Sequence, residues 1–218
     1  MCGIAGFFNP KYLDKNIAEK YIKKMTAALH HRGPDNEDYF INDEISFGHS
    51  RLSILELSKH GNQPKNSFSG RYTITFNGEI YNHSDLRYKL KCEGHNIQWF
   101  SNSDTETLVN LFEFWDLEKI LNSIVGMFAF ALWDSLEKKM ILSRDRFGEK
   151  PLFYAWVDNN FIFSSELNSI KQFPKFDKSI SGISTEIYFK INYIPAPLTI
   201  YKNCFIRINK RDFSTVYL

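Results

Sequence analysis

The sequence predicts an α+β fold in which antiparallel sheets carry helices on their outer faces. Three observations lead there. Beyond Gly126, four strand-like runs follow one another through short connections: MFAFALWD, KKMILSRD, PLFYAWV and NFIFSSE. Earlier in the chain, stretches with apolar residues at helical spacing are interleaved with short apolar or alternating runs. Aromatic residues make up 16% of the 218 residues, 20 of them Phe, which favours a β-rich, well-buried core. Helices packed outside the sheets are the economical way to bury what remains apolar. The length allows one sizeable core, or one domain plus a fragment of another.

Each element has its own signal. CGIAGFF reads as a short apolar strand. NIAEKYIKKMTAALHH places Ile17, Tyr21, Met25 and Ala28–Leu29 at helical spacing with lysines opposite, and Gly33-Pro34 ends that helix. DYFINDEISFGHS reads as a hairpin turning at Asn42-Asp43. RYTITFNGEIYN alternates through Tyr72, Ile74 and Phe76 and is expected to stop at Asn77-Gly78, a common turn signal. A second helix follows Ser84, taken as its N-cap, and ends near Gly94. A third starts at SDTETLVNLFEFW, with Leu108, Leu111, Phe112 and Trp115 facing inward. Among the four later strands, Asp158-Asn159-Asn160 supplies a turn. The last stretch, from INYIPAPLTI onward, has two prolines close together and no clear period. It reads as a linker or the opening of a further domain.

The bulk numbers narrow the function. Net charge is +2 and no Lys/Arg block stands out, so nucleic acid is not expected as a partner. No apolar stretch approaches the ~18 residues of a membrane-spanning helix, and the N-terminus lacks the pattern of a signal peptide. The three cysteines, Cys2, Cys92 and Cys204, show no metal-ligand spacing, and any disulfide scheme leaves one over. A reducing, cytoplasmic setting is the simplest context, and no metal is expected.

The chemistry is suggested first at the N-terminus, MCGIAGFF. Removal of Met1 would leave Cys2 with a thiol and a free α-amine on one residue. An α-amine titrates near pH ~7.7–8.0 and can serve as a general base. A nucleophile that carries its own base is one known way to activate Ser, Thr or Cys; the alternative is a cysteine with no role. Four further motifs stand out: HHRGPD, GHSRLSIL, FNGEIYNH and SNSDTE. Singly, each has a plain reading. RGPD is a helix stop, Asn77-Gly78 a turn, Arg51 a surface arginine, and Ser103-x-x-Glu106 a helix capping box.

Together the motifs carry a resemblance. MCGIAGFF, HRGPD, GHSRLSI, FNGEIYNH, SDTE, GMFAFALWD, RDRFGEKPLFY and SSEL occur in the order found in class II glutamine amidotransferases, which are N-terminal nucleophile (Ntn) hydrolases. Within that class the chain resembles the glutaminase domain of glutamine-hydrolysing asparagine synthetases, over roughly residues 1–200. The resemblance implies a four-layer αββα sandwich of two antiparallel sheets flanked by helices. It implies an amidotransferase domain over residues 2–190, with 191–218 as a linker and the start of a synthetase domain that the sequence does not contain.

The resemblance also assigns roles. Cys2 is the implied nucleophile that attacks the carboxamide of L-glutamine, with its own amine as base. The side-chain amide of Asn77 and the backbone N–H of Gly78 match the oxyanion hole. Arg51 matches the clamp on the α-carboxylate, a task suited to a guanidinium. Glu79 and Asp104 match the acids that hold the α-ammonium, and the backbone around Leu52 and Ile54 lines the pocket. His31 and His49 read as structural, because the amine replaces an imidazole. RDRFGEKP has no catalytic assignment and reads as a turn or an interdomain face, and Cys92 and Cys204 as inert thiols.

Departures from the family pattern mark what the chain lacks. There is no SGGxDS-type loop for ATP phosphates, so no cofactor is expected here; ATP and magnesium belong to the synthetase domain. After YIPAPLTIYKN the sequence reads CFIRINKRDFSTVYL where relatives continue to a Lys-Leu-x-Pro-Gly turn. Ser50 replaces a larger residue and Lys65 an apolar one. Three readings stay open: an active glutaminase unit, either free or feeding ammonia to a separate synthetase subunit that amidates aspartate, with that subunit or a second copy in a homodimer as its partner; an amidotransferase of a surface-polysaccharide pathway; and a non-catalytic truncated remnant or interaction module.

Overall fold

The computed structural model describes residues 1–9, 13–54, 56–206 and 216–217. In chain order the strands are β1 (Gly3–Phe8), β2 (Asn36–Ile41), β3 (Ile45–Arg51), β4 (Lys65–Asn66), β5 (Tyr72–Ile80) and β6 (Gly126–Asp134). Then come β7 (Lys139–Arg144), β8 (Phe153–Val157), β9 (Asn160–Ser164), β10 (Cys204–Ile206) and β11 (Val216–Tyr217). The helices are α1 (Lys15–Ala27), α2 (His83–Cys92), α3 (Asp104–Leu111), α4 (Leu117–Ser123), α5 (Leu167–Ile170) and α6 (Gly182–Ile191).

Two antiparallel sheets result, one in the order β10-β8-β9-β1-β3-β2 and the other β11-β7-β6-β5-β4. Three separate apolar clusters show how they stack. Ile4, Phe47, Ala129, Ala131, Trp133, Leu142 and Phe163 pack between the sheets. Phe76, Phe130 and Leu132 face the other way, against Leu86 and Leu90 of α2, Leu108 and Leu111 of α3, and Ile120 of α4. Ala5, Phe7 and Ile162 turn from the first sheet toward Ala18, Ile22 and Met25 of α1 and Ile170 of α5. Strand periodicity produces this directly: along β6, odd positions from Ala129 to Trp133 meet the other sheet and even positions meet helices. The fold is the four-layer αββα sandwich.

The hairpin at Asn42-Asp43 forms as the sequence predicts, with Asn42 Oδ1 accepting from the N–H groups of Glu44 (2.9 Å) and Ile45 (2.7 Å). The turn at Asp158-Asn159 also forms, both residues adopting positive φ (47° and 65°). Elsewhere the structure differs. On α1 the buried stripe is Ala18, Ile22, Met25 and Thr26, and Ile17 is exposed. Thr26 goes inside because its hydroxyl donates to the Ile22 carbonyl at 2.9 Å, which removes the cost of burying it. Helix α1 stops at Ala27, and a 3₁₀ turn at His30–Arg32 comes before Gly33. The cap of α2 is Asn82, not Ser84; its side chain instead ties the helix start to Ser123 and Val125.

The largest difference concerns β5, which runs through Asn77-Gly78 to Ile80 rather than stopping there. Gly78 lies opposite Phe128 of β6. A Cβ at this position would sit 2.3 Å from the Met127 carbonyl oxygen, so glycine permits close strand approach here and makes no turn. Strand β10 extends the first sheet beside β8. The tail residues 207–215, within the segment read as a linker, lie outside the described residues. Among the described residues no helix is long and apolar enough to cross a membrane.

Candidate active site

Three elements end around one chamber. Strand β1 begins at Gly3, directly after Cys2; β3 ends at Arg51; and the distal half of β5 carries Asn77, Gly78 and Glu79. The N-terminus of α3 brings Asp104 to the same place. These elements enclose a cavity of about 140 Å³ whose walls include Cys2, Arg51, Leu52, Ile54, Asn77, Gly78, Glu79 and Asp104. Every residue singled out by the sequence as catalytic or substrate-binding is therefore brought to one cavity.

Cys2 is held by a two-way contact with Leu52, whose N–H donates to Sγ (3.4 Å) while the thiol donates to the Leu52 carbonyl (3.6 Å). Burial pushes the Cys2 thiol up; the Leu52 hydrogen bond, the N-terminal amine and Arg51 pull the other way, in that order of weight. Asn77 is buried, and its Nδ2 has no hydrogen-bond partner among the described residues. Buried amide donors are normally satisfied, so an orphan on a cavity wall points to a group that arrives from outside.

Arg51 is anchored by a loop that folds over it. Its Nη1 donates to the Ser58 carbonyl (2.9 Å) and to Asn62 Oδ1 (2.6 Å), and its Nη2 to the Glu56 carbonyl. A guanidinium has five N–H donors, so these three acceptors fix its orientation and leave donors for an anion. The Glu56 carboxylate accepts from the N–H groups of Ser58 (3.0 Å) and Asn102 (3.3 Å); its pKa is brought down to about 2 by the Ser58 side chain first and then by these two N–H groups. It thereby fastens this loop to the approach to α3.

Asp104 is the first residue of α3. Its Oδ2 accepts from Ile80 N–H (2.8 Å) and its Oδ1 from Thr105 N–H (2.8 Å). Burial nonetheless pushes its carboxyl above the usual value, ahead of the lowering by those bonds. The capping box expected at Ser103 forms only in part. Ser103 Oγ accepts from Thr105 N–H (3.2 Å), while Glu106 reaches past Ser103 to the N–H groups of Phe100 (2.9 Å) and Ser101 (2.8 Å).

Sequence reading missed three residues here. Arg32, in HHRGPD, donates from Nε to the Cys2 carbonyl (3.0 Å) and from Nη1 to Glu166 Oε1 (2.9 Å), so it fixes the backbone of Cys2 from behind. Gln63 accepts from Phe76 N–H (2.7 Å) and donates to Thr105 Oγ1 (3.2 Å), tying β5 to α3 beneath the cavity. Lys150, in RDRFGEKP, also lines the cavity. Both arginine and lysine lie in motifs visible in the sequence, but nothing in the sequence shows where their side chains go.

Both histidines weighed above have structural partners. His31 pairs with Glu166 at 3.0 Å on the surface. His49 is buried and donates from Nε2 to the Phe76 carbonyl (3.1 Å), and burial brings its imidazole down to about 4, so it is neutral at pH 7. The two sequence departures are also accounted for: Ser50 donates to the Thr26 carbonyl (3.2 Å), and Lys65 on β4 donates to the His60 carbonyl. Among the described residues, no three His, Cys, Asp or Glu come together as a metal ion would require.

Comparison with known proteins bears on the family and the fold. Residues 1–209 match the family model described as a glutamine amidotransferase domain. A protein of Methanocaldococcus jannaschii, provisionally named a glutamine-hydrolysing asparagine synthetase, is 37% identical over 94% of this chain and 42% of its own length. Asparagine synthetase [glutamine-hydrolyzing] 1 of Bacillus subtilis is 35% identical over 92% of this chain and 31% of its own length. The chain thus spans less than half the length of these relatives. In structure it is similar to the glutamine phosphoribosylpyrophosphate amidotransferase of B. subtilis, with a TM-score of 0.65 at 17% identity over 99% of this chain and 49% of that one. At that identity the likeness speaks to the fold alone, which is shared.

Proposed function

This chain belongs to the glutamine amidotransferase family, and from that premise we propose that it hydrolyses L-glutamine to L-glutamate and ammonia through a thioester on Cys2. The observation that carries the reading is the orphaned Asn77 Nδ2 on the wall of the cavity that holds the Cys2 thiol. It is a preorganised donor with nothing to bond until a carbonyl oxygen gathers charge beside it.

The steps follow from the site. Removal of Met1 frees the Cys2 amine, which takes the thiol proton as sulfur attacks the carboxamide carbon. The oxyanion bonds to Asn77 Nδ2 and the Gly78 N–H. The amine passes its proton to the departing nitrogen, ammonia leaves, and water then hydrolyses the thioester to glutamate. Arg51 receives the α-carboxylate with its remaining donors, and Asp104 and Glu79 receive the α-ammonium, with the backbone at Leu52 and Ile54 closing the pocket. A thiol nucleophile of this kind suits the reducing cytoplasm.

The ammonia is destined, in this reading, for ATP-dependent amidation of aspartate by a synthetase domain or subunit, the part of its relatives' length that this chain does not span. ATP and magnesium would act there. The test is glutamate release from glutamine by the purified chain, with loss of Met1 checked by mass, alongside Cys2→Ala. Release that depends on Cys2 supports the proposal; equal release from both proteins overturns it.

A further inference from the structure

The motif RDRFGEKP has no part in the chemistry above, yet its backbone is built with care. Asp145 Oδ1 accepts from Glu149 N–H (2.9 Å) and Oδ2 from Lys150 N–H (3.0 Å). The same Oδ2 accepts from Phe128 N–H (3.3 Å), which pins the loop to β6 beside Gly78. Arg144 Nε donates to the Lys150 carbonyl (2.5 Å) and Nη2 to the Gly148 carbonyl. Gly148 takes a positive φ of 69° where a Cβ would press on the Arg144 guanidinium, 2.9 Å from its carbon. These bonds together hold Lys150 against the chamber, where it is 5% exposed and its Nζ donates to Met1 Sδ at 3.3 Å.

A buried ammonium resting on a residue that processing removes calls for a partner after processing. We infer that Lys150 is a positioning residue for the N-terminal amine: once Met1 is gone, its ammonium faces the Cys2 amine and keeps that amine unprotonated. The inference rests on the reading of Cys2 as a nucleophile that uses its own amine as base.

The surrounding charges explain the need. From β5 and α3, Glu79 and Asp104 face the chamber, and carboxylates favour the protonated form of any amine beside them. Arg51 at the end of β3 is turned toward the Glu56–Asn62 loop, and Glu56, which also lines the cavity, has its carboxylate bonded to the N–H groups of Ser58 and Asn102. Behind Cys2, Arg32 is paired with Glu166. His49 is neutral. Among the described residues that line the cavity, Arg51 and Lys150 are the Lys/Arg side chains, and Lys150 is the one that touches Met1; a like charge there lowers the amine's proton affinity.

The experiment uses the full chain released with Cys2 first from a cleavable leader, as wild type, Lys150→Met and Lys150→Arg. Acetylation of the Cys2 amine by acetic anhydride is followed against pH by peptide mass, in parallel with the pH profile of glutamate release. The amine midpoint is expected about one pH unit higher in Lys150→Met than in wild type, with Lys150→Arg restoring it and the acid limb of turnover following. Equal midpoints in all three proteins overturn the inference, as does a raised KM for glutamine with an unmoved midpoint, which would make Lys150 a ligand of the carboxylate. If wild type releases no glutamate, the glutaminase reading fails, and the acetylation midpoints still decide the role of Lys150. The loop is held by bonds from the Asp145 and Arg144 side chains to its main chain, which these substitutions leave in place, and matched melting curves verify that.

Discussion

Replacing Asn77 by alanine separates the stability of this fold from its proposed chemistry. Asn77 is 1% exposed and its Nδ2 has no partner among the described residues, so the substitution breaks none of their hydrogen bonds to that donor. A buried donor without a partner is itself a cost to the folded state. Its removal offsets the small void left by the shorter side chain, and the net change in unfolding free energy should stay within about 1 kcal/mol. The transition state has no such compensation. An oxyanion donor of this kind is worth about 2.7–4 kcal/mol, so kcat for glutamate release should fall by about 10²–10³-fold. KM should change far less, because the bond forms only as charge develops. A coupled glutamate assay and a urea melt on the same preparation read both quantities. A kcat within about fivefold of wild type in a normally stable variant would refute the oxyanion assignment.

Three other substitutions or conditions probe the supports of the site. Gly78→Ala drives a Cβ to 2.3 Å from the Met127 carbonyl and 2.7 Å from Phe128 Cα; strands β5 and β6 must part, and a loss of about 2–4 kcal/mol in a urea melt is expected. Arg32→Ala removes the bonds to the Cys2 carbonyl and to Glu166, and should cost about 2–3 kcal/mol and raise the mobility of residues 1–3 in hydrogen exchange. His49 takes a proton near pH 4 when folded and near 6.5 when unfolded. The unfolded state therefore binds more protons in that window, and stability should fall by about 3 kcal/mol as pH drops from above 6.5 to 4. Urea melts of His49→Gln across the same window should show a shallower fall; parallel curves would contradict the assignment.

Much of this architecture was legible in the sequence because its signals are local. Four strands after Gly126 with short connections, the Asn42 turn and the Asp158-Asn159 turn each follow from residue chemistry within a few positions. Face assignment on α1 was not legible, since Thr26 becomes a core residue only through a hydrogen bond that hydropathy does not register. Asn77-Gly78 misled for a related reason: the dipeptide favours a turn, but β6 approaches so closely that glycine is required inside the strand. For the site, the motif order brought out Cys2, Arg51, Asn77, Gly78, Glu79 and Asp104, and the fold brings them to one cavity. Arg32, Gln63 and Lys150 escaped because their roles depend on contacts across large sequence separations, such as Arg32 with Glu166 or Lys150 with Met1.

The central claim is a covalent bond between Cys2 and the glutamine carbonyl carbon. It is tested most directly by acid-quenching the chain during steady-state turnover and mapping the adduct by peptide mass. A glutamyl thioester on the N-terminal peptide, with Met1 absent and with no adduct in Cys2→Ala, is the predicted result. Glutamate formation at the same rate with no adduct on Cys2, or an adduct on Cys92 or Cys204 instead, would contradict it.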